Sequence, residues 1–331
     1  MRIDLIKKGN YIKANLNCHT TLSDGTKTPM EIKQMYREHG YGVVAFTDKD
    51  VFVNHNDLTD DEFLALNGFE ISAEQYENGP MHSINFISAN PNLKDTDLGD
   101  APDYSVNSIN DYIERANKQG FLACYNHPMY SMQNFDSVLP IKGLWAFEIN
   151  NYSKGIHEDN NHLYDRLSRA GRRIFAVATD GNRNEQPDDS PLSDSFGSYT
   201  LIKSDKNDYE SIINALRNGD FYATSGPRFE EIYIEDGFVH IKCTPAYEVR
   251  MLSIGRDAHI ARVKDGIIAS TLTGTAPIDY SDPKNHADCV TEAVFKIDGL
   301  CEKFIRFDIR GLDGTFADTR TFFSDELGLE F

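Results

Sequence analysis

The chain has 331 residues, 40% of them hydrophobic and 26% charged. That length suits about two domains, and the composition excludes a disordered, collagen-like or coiled-coil chain. Asp plus Glu number 52 against 33 Lys plus Arg, a formal charge of −19 that disfavours sequence-independent binding to nucleic acid. A small anionic substrate or ligand is compatible with such a field only beside a local cation. No apolar run approaches the ~18 residues that span a bilayer. The charged start Met1-Arg2-Ile3-Asp4 lacks the apolar segment of a secretory signal, so no membrane association and a cytoplasmic location are expected. Five cysteines without a C-x-x-C pair argue against a disulfide framework and against a cysteine zinc site. Oligomeric state is not legible.

In chain order, Thr28-Pro29-Met30-Glu31 reads as a helix start, with Thr28 as N-cap, Pro29 in the first turn and Glu31 completing a capping box. Gly40 ends that helix, and a buried strand follows over 41–48. Strands are expected over 69–72 and 83–88. The helix-then-strand unit recurs at 108–119 with 121–125, and at 160–170 with 174–179. Further strands are expected over 145–150 and 199–203. Strands alternating with helices imply a parallel sheet covered by helices. About seven such strands favour a (β/α) barrel.

After Ser225-Gly226-Pro227 the pattern changes. Runs over 229–234 and 239–243 flank Asp236-Gly237, a hairpin turn signal. Short alternating runs follow over 249–254, 267–272, 293–297 and 304–309. The expected architecture is therefore α/β: a barrel over 1–227, then a small all-β, sandwich-like domain over 228–331.

His19, Asp48, His127 and Asp180 fall at strand ends of the first domain, Glu70 at the start of a strand and Glu148 within one. Strand C-termini of a barrel converge on one face, the face that carries active sites. His, Asp and Glu gathered there suit a divalent metal. Taken singly, each has a plainer reading: Asp48 and Asp180 as helix caps, Glu70 as an arginine partner, His19 and His127 as packed histidines. His39, His55, His157, His162, His240, His259 and His286 are read as structural or surface residues.

The motifs together resemble the PHP (polymerase and histidinol phosphatase) superfamily. Asn15-Leu16-Asn17-Cys18-His19-Thr20 with Ser23-Asp24-Gly25 is similar to its opening motif, and Phe46-Thr47-Asp48-Lys49 to its T-D-H segment. Gly68-Phe69-Glu70-Ile71-Ser72, Met81-His82, Asn126-His127-Pro128 and Ala178-Thr179-Asp180-Gly181-Asn182 follow in the family's order. Phe147-Glu148-Ile149-Asn150-Asn151 and Phe221-Tyr222-Ala223-Thr224-Ser225-Gly226-Pro227 resemble a branch that carries a C-terminal β-domain. The resemblance implies a distorted (β/α)7 barrel, a phosphoesterase activity and up to three divalent metals.

Three positions depart from the pattern: Asn17, Lys49 and Asn182 stand where the family has histidine. By resemblance, one metal would be held by position 17, His19, Glu70 and Asp180, and this site is weakened. A second, held by Asp24 and positions 49 and 182, is expected to be lost, with the Lys49 ammonium in its place pairing with Asp24 or Asp48. A third, held by Glu70, His82 and His127, keeps all its ligands. One to two ions rather than three are expected, Zn²⁺ or Mn²⁺ with Fe²⁺ or Mg²⁺ as alternatives. The implied activity is hydrolysis of a small phosphomonoester or phosphodiester, with Asp48 as base, Lys49 and Arg183 on the anion, and Asn17 and Asn182 beside the substrate. For Arg183 the plainer reading is a solvated loop arginine. The competing reading is a catalytically degenerate relative that binds a ligand or a single metal. An amidohydrolase-type barrel fits the motif order less well.

Overall fold

A computed structural model of the chain describes residues 2–255, 259–264, 267–270, 288–297 and 303–328. His286, Cys301 and the end of the run expected over 267–272 lie outside the described residues. Two compact units are formed, Asn10–Ala223 and a second made of Met1–Gly9 with Thr224–Phe331.

Strands come in the order β1 (Arg2–Ile6), β2 (Tyr11–Cys18), β3 (Tyr41–Phe46), β4 (Leu64–Glu74), β5 (Met81–Ser88), β6 (Phe121–Tyr125), β7 (Ala146–Asn151), β8 (Glu158–Asp159), β9 (Phe175–Thr179), β10 (Tyr199–Lys203) and β11 (Phe221–Thr224). The helices are α1 (Pro29–Glu38), α2 (Val106–Lys118), α3 (Phe135–Val138), α4 (Asn161–Arg169) and α5 (Tyr209–Asn218). The first unit is α/β, and its strands lie in the order β11-β10-β2-β3-β4-β5-β6-β7, with β9 beside β7.

The sheet is mixed, not parallel throughout. β2, β3 and β4 pair in parallel, as do β6, β7 and β9, but β5 is antiparallel to both its neighbours. The reason is the connection. Only residues 75–80 separate β4 from β5, too few for a crossover, so the chain returns as a hairpin. Beyond β9 the chain hydrogen-bonds back to the first strand of the unit. The Gly181 N–H donates to the Asn17 carbonyl at 3.1 Å, and the His19 N–H to the Asn182 carbonyl at 3.1 Å.

Local signals account for the helix ends. Thr28 and Glu31 form the expected capping box on α1. α2 begins two residues earlier than the apolar spacing suggests, because the Ser105 side chain accepts the Ser108 N–H. α5 has no counterpart in the sequence reading. Its markers are nevertheless ordinary: Asp208 caps the start by accepting the Ser211 N–H, and Gly219 ends it.

Period-two alternation divides the β4–β5 hairpin into two faces. Glu70 lies opposite Asn85, and Ser72 opposite Ser83. The intervening Ile71, Ala73, Ile84 and Phe86 face the other way into an apolar core with Phe69, Ile109, Tyr112, Ile113 and Tyr125. The polar face carries the site.

The second unit is all strand among its described residues. It adds β12 (Phe229–Glu235), β13 (Phe238–Ala246), β14 (Glu248–Ser253), β15 (His259–Lys264), β16 (Ile267–Ser270), β17 (Val290–Lys296), β18 (Phe304–Arg310), β19 (Phe316–Asp318) and β20 (Phe322–Phe323). One sheet runs β1-β12-β13-β17; the other strands include β16-β15-β14-β18-β19, with β20 also on β18. The expected turn joins β12 to β13, with φ of 51° at Asp236 and 81° at Gly237, as a two-residue hairpin demands. The first nine residues, expected within the α/β domain over 1–227, group instead with the β unit. β1 pairs antiparallel with β12, Ile3 opposite Ile234 and Ile6 opposite Ile232, so hydrogen bonding and side-chain burial tie it to the β unit.

Candidate active site

His19 follows β2 in a loop that doubles back on itself. The Thr20 N–H, the Thr20 hydroxyl and the Ser23 hydroxyl donate to the buried Asp48 carboxylate at 2.7, 2.9 and 2.6 Å. Asp48 therefore anchors the loop. Gly25 lets the turn close, since a Cβ there would stand 2.6 Å from the His19 carbonyl oxygen. The closed loop sets Asp24 Oδ1 2.6 Å from His19 Nδ1. Arg183 Nε donates to the other Asp24 oxygen at 2.9 Å.

Glu70, 1% exposed, is the centre of the arrangement. Its Oε2 lies 3.7 Å from His19 Nε2 and 3.8 Å from His127 Nε2, and accepts the Asn126 amide at 2.8 Å. His127 follows β6 with φ of 24°, in the left-handed region. Its N–H donates to Glu148 at 2.7 Å, and its Nδ1 lies 3.0 Å from the Ser131 hydroxyl. Each imidazole is thus held through Nδ1 or backbone and turns Nε2 towards one carboxylate oxygen.

The electrostatics follow from that contact. Burial works to raise the Glu70 carboxyl, but hydrogen bonding and charge from His127 and His19 outweigh it and hold Glu70 well below the usual carboxylate range. Burial works to lower His19, but Asp24 and Glu70 hold it up to about 9. His127 is raised against its own burial, chiefly by Glu70.

Other residues named by the motifs go elsewhere. His82 lies opposite Ala73 in the hairpin, on the face away from Glu70. Its Nδ1 meets the Tyr125 hydroxyl at 2.7 Å, and burial lowers it to about 4. Asp180 is fully buried and accepts the Tyr36 hydroxyl at 2.9 Å and the Phe196 and Ser198 N–H groups at 3.0 Å each. Burial pushes its carboxyl up to about 6, against the pull of those hydrogen bonds. The Asn17 amide donates to Glu148 at 3.0 Å and its oxygen accepts the Thr47 hydroxyl at 3.2 Å. The Asn182 oxygen accepts the Asn15 amide at 2.9 Å, and its own amide donates to Asn184 at 2.8 Å. Both asparagine side chains are thus occupied inside the protein. Lys49 is half-buried and pairs with neither Asp24 nor Asp48; Arg183 takes Asp24 instead.

Glu148 is absent from the motif-derived site. It is fully buried and accepts from Asn17, the His127 N–H, Asn151 and the Thr179 hydroxyl, at 2.6–3.0 Å. It joins strands β2 and β9 and the end of β7 to the loop after β6. Its place at mid-strand in an apolar run was the available signal.

No family profile matches the chain, and no curated protein matches it. Solved structures do. One is a two-domain protein from Bacteroides vulgatus containing a predicted PHP-like metal-dependent phosphoesterase, at 14% identity, TM-score 0.50, with 96% of each chain covered. The two share a fold. A candidate metal-dependent phosphoesterase from Bifidobacterium adolescentis matches at 14% identity and TM-score 0.41, over 54% of this chain and 90% of its own. An amidohydrolase from Chromobacterium violaceum matches at 14% identity and TM-score 0.36, over 50% and 86%. The expected (β/α)7 closure is a finer description than this likeness carries.

Among the described residues, no group of three or more His, Cys, Asp or Glu stands ready to hold a metal ion. The nearest approach is Glu70 with His19 and His127. Their donor chemistry fits a divalent ion: one carboxylate and two imidazoles whose free nitrogens face it. Asp24 can only accept, which places the His19 proton on Nδ1 when the ring is neutral and frees Nε2. His82 and Asp180 do not fit the same centre. No helix of the described residues is long and apolar enough to cross a membrane.

Proposed function

We propose that this protein is a metal-dependent hydrolase of a small phosphate ester, working on a distorted (β/α)7 barrel. The observation that carries the reading is Glu70 Oε2 facing the Nε2 atoms of His19 and His127, each ring steered by its own partner. These three residues would hold one divalent ion, Zn²⁺ or Mn²⁺ by donor type. Such an ion supplies a charge for a phosphoryl oxygen and a water acidic enough to attack at neutral pH.

The remaining steps belong to the chain's own groups. Asp24 fixes the His19 tautomer and Ser131 steers His127. Asp48 and Glu148 hold the two histidine-bearing loops in place. Arg183, with its guanidinium on Asp24, and the unpaired Lys49 supply the positive charge an anionic substrate needs in a chain of net charge −19. The Arg183–Asp24 pair stands where the family pattern calls for a middle metal, which favours one ion, two at most. The occupied side chains of Asn17 and Asn182 do not support a substrate-binding role.

Metal content tests this first. Mass spectrometry on protein purified without chelator, then incubated with Zn²⁺ or Mn²⁺, is expected to find about one equivalent, lost in Glu70→Gln and His127→Ala. Metal-dependent hydrolysis of a phosphoester should be lost with it. Absence of bound metal after incubation would move the reading to a non-catalytic ligand-binding protein.

A further inference from the structure

The segment from His127 to Gln133 is tightly fixed yet displays large apolar side chains. Backbone hydrogen bonds tie Ser131 to His127, Met132 to Met129 and Gln133 to Pro128. Glu158 accepts the Tyr130 N–H at 3.0 Å, and Gln133 donates to the Met81 carbonyl at 2.8 Å. On this rigid frame Met129 is 55% exposed, Tyr130 43% and Met132 57%. Single exposed apolar residues need no explanation, but three on one immobilised loop mark a binding surface.

The surface adjoins the reaction centre. The Tyr130 ring stands edge-on to the His127 ring, at 88° and 5.3 Å between centroids. Over the same ring, at 5.5 Å, lies the ammonium of Lys154, an exposed residue outside every ion pair of the described residues. Its backbone sits at φ of 56°, and Met132 at 55°, conformations that side-chain-bearing residues rarely keep without a reason.

We infer that Tyr130, Met129, Met132 and Lys154 form a subsite for the organic part of the substrate, and that this part is a flat, apolar group bearing a second negative charge. The substrate class is then an aryl phosphate with a carboxylate or similar anion on the ring. A planar group lies against the tyrosine and methionines, which are adaptable partners for an aromatic face. Its remote anion meets Lys154. The inference rests on the phosphoester reading above.

Calorimetry with non-hydrolysable phosphonates tests it without requiring turnover. The Mn²⁺-loaded protein is expected to bind phenylphosphonate about ten-fold tighter than methylphosphonate, and 4-carboxyphenylphosphonate tighter still. In Tyr130→Ala the phenyl-to-methyl ratio should fall to about two-fold or less, with Tyr130→Phe restoring it. In Lys154→Ala the carboxyl group should lose its advantage while the phenyl advantage stays. A phenyl advantage that survives in folded Tyr130→Ala overturns the subsite. If no phosphonate binds wild-type protein, the phosphoester reading fails by itself. Benzoate then decides the subsite: binding weakened by Tyr130→Ala and Lys154→Ala upholds it, and no such binding overturns it. Self-association that Tyr130→Ala abolishes would assign the patch to a protein contact and also overturn it.

Discussion

In the α/β unit Asp48, Glu70, Glu148 and Asp180 are buried without an arginine or lysine in ion-pair contact among the described residues. Their charge is met by hydroxyls, amides, backbone N–H groups and, for Glu70, two imidazoles. In the β unit, buried carboxylates sit against guanidinium groups. Asp308 accepts both Nε and Nη2 of Arg250 at 2.6 and 2.7 Å, Glu248 meets Arg262, and Asp318 lies 3.8 Å from Arg306. The contrast separates two uses of a buried acid. A carboxylate neutralised by a fixed cation is finished as a structural element. One held only by dipoles and histidines keeps a negative potential that a mobile cation can answer.

Four experiments can break or sharpen this contrast. Glu148→Ala takes the acceptor from four buried donors, of which only the Asn151 amide keeps another, Thr179, and should cost about 4–6 kcal/mol in urea unfolding. A loss under about 1 kcal/mol would mean that dipoles do not hold this charge. Asp308→Ala removes both short bonds to Arg250, leaving it only the 3.4 Å contact with Glu248, and should cost about 3 kcal/mol. Here the double replacement Arg250→Met with Asp308→Leu is expected to recover part of the loss, because Glu248 keeps Arg262 as its partner and Arg310 loses only a 3.8 Å contact. No single compensating change exists for Glu148.

Asp180 gives a pH-dependent case. Its folded value of about 6 lies above the ~3.9 of an unfolded aspartate, so the folded state keeps its proton longer. The associated stability is fully present below about pH 4 and is lost as pH rises through 6, an amount of about 3 kcal/mol. Between pH 4 and 7, Asp180→Asn should therefore gain on wild type by up to that amount in urea midpoints. A constant difference across the range would show that the carboxyl is ionised throughout. Smallest of all, Glu292→Ala removes the exposed Lys242–Glu292 pair at 3.2 Å and should change stability by less than about 1 kcal/mol.

Motif order in the sequence located the loops of the site better than it sorted the residues on them. His19 and Asp24 on one loop, Glu70 on β4, His127 after β6 and Arg183 after β9 come together from four segments. His82 turns away from Glu70 by strand parity, which motif position does not carry: residues 82, 84 and 86 alternate onto the face that Ile84 and Phe86 mark as apolar. Asp180 stands at the expected strand end, but Tyr36 and the 196–198 backbone claim its oxygens, a tertiary contact no local pattern reveals. The N-terminal strand β1 has no signal of its own in the sequence. Its partner lies more than two hundred residues away, beyond the reach of any local pattern.

That last pairing bears on how the chain is made. β1 is synthesised well before its partner β12, which begins at Phe229. At about 5–20 residues per second, the strand waits roughly 10–45 s for its neighbour. The α/β unit can fold in that interval, being closed in sequence from Asn10 to Ala223. The β unit cannot be completed until β12 and the strands that follow it have been made. A chain released early near residue 223 would therefore carry a folded α/β unit and one widowed strand, with an unsatisfied edge open to pairing with another chain.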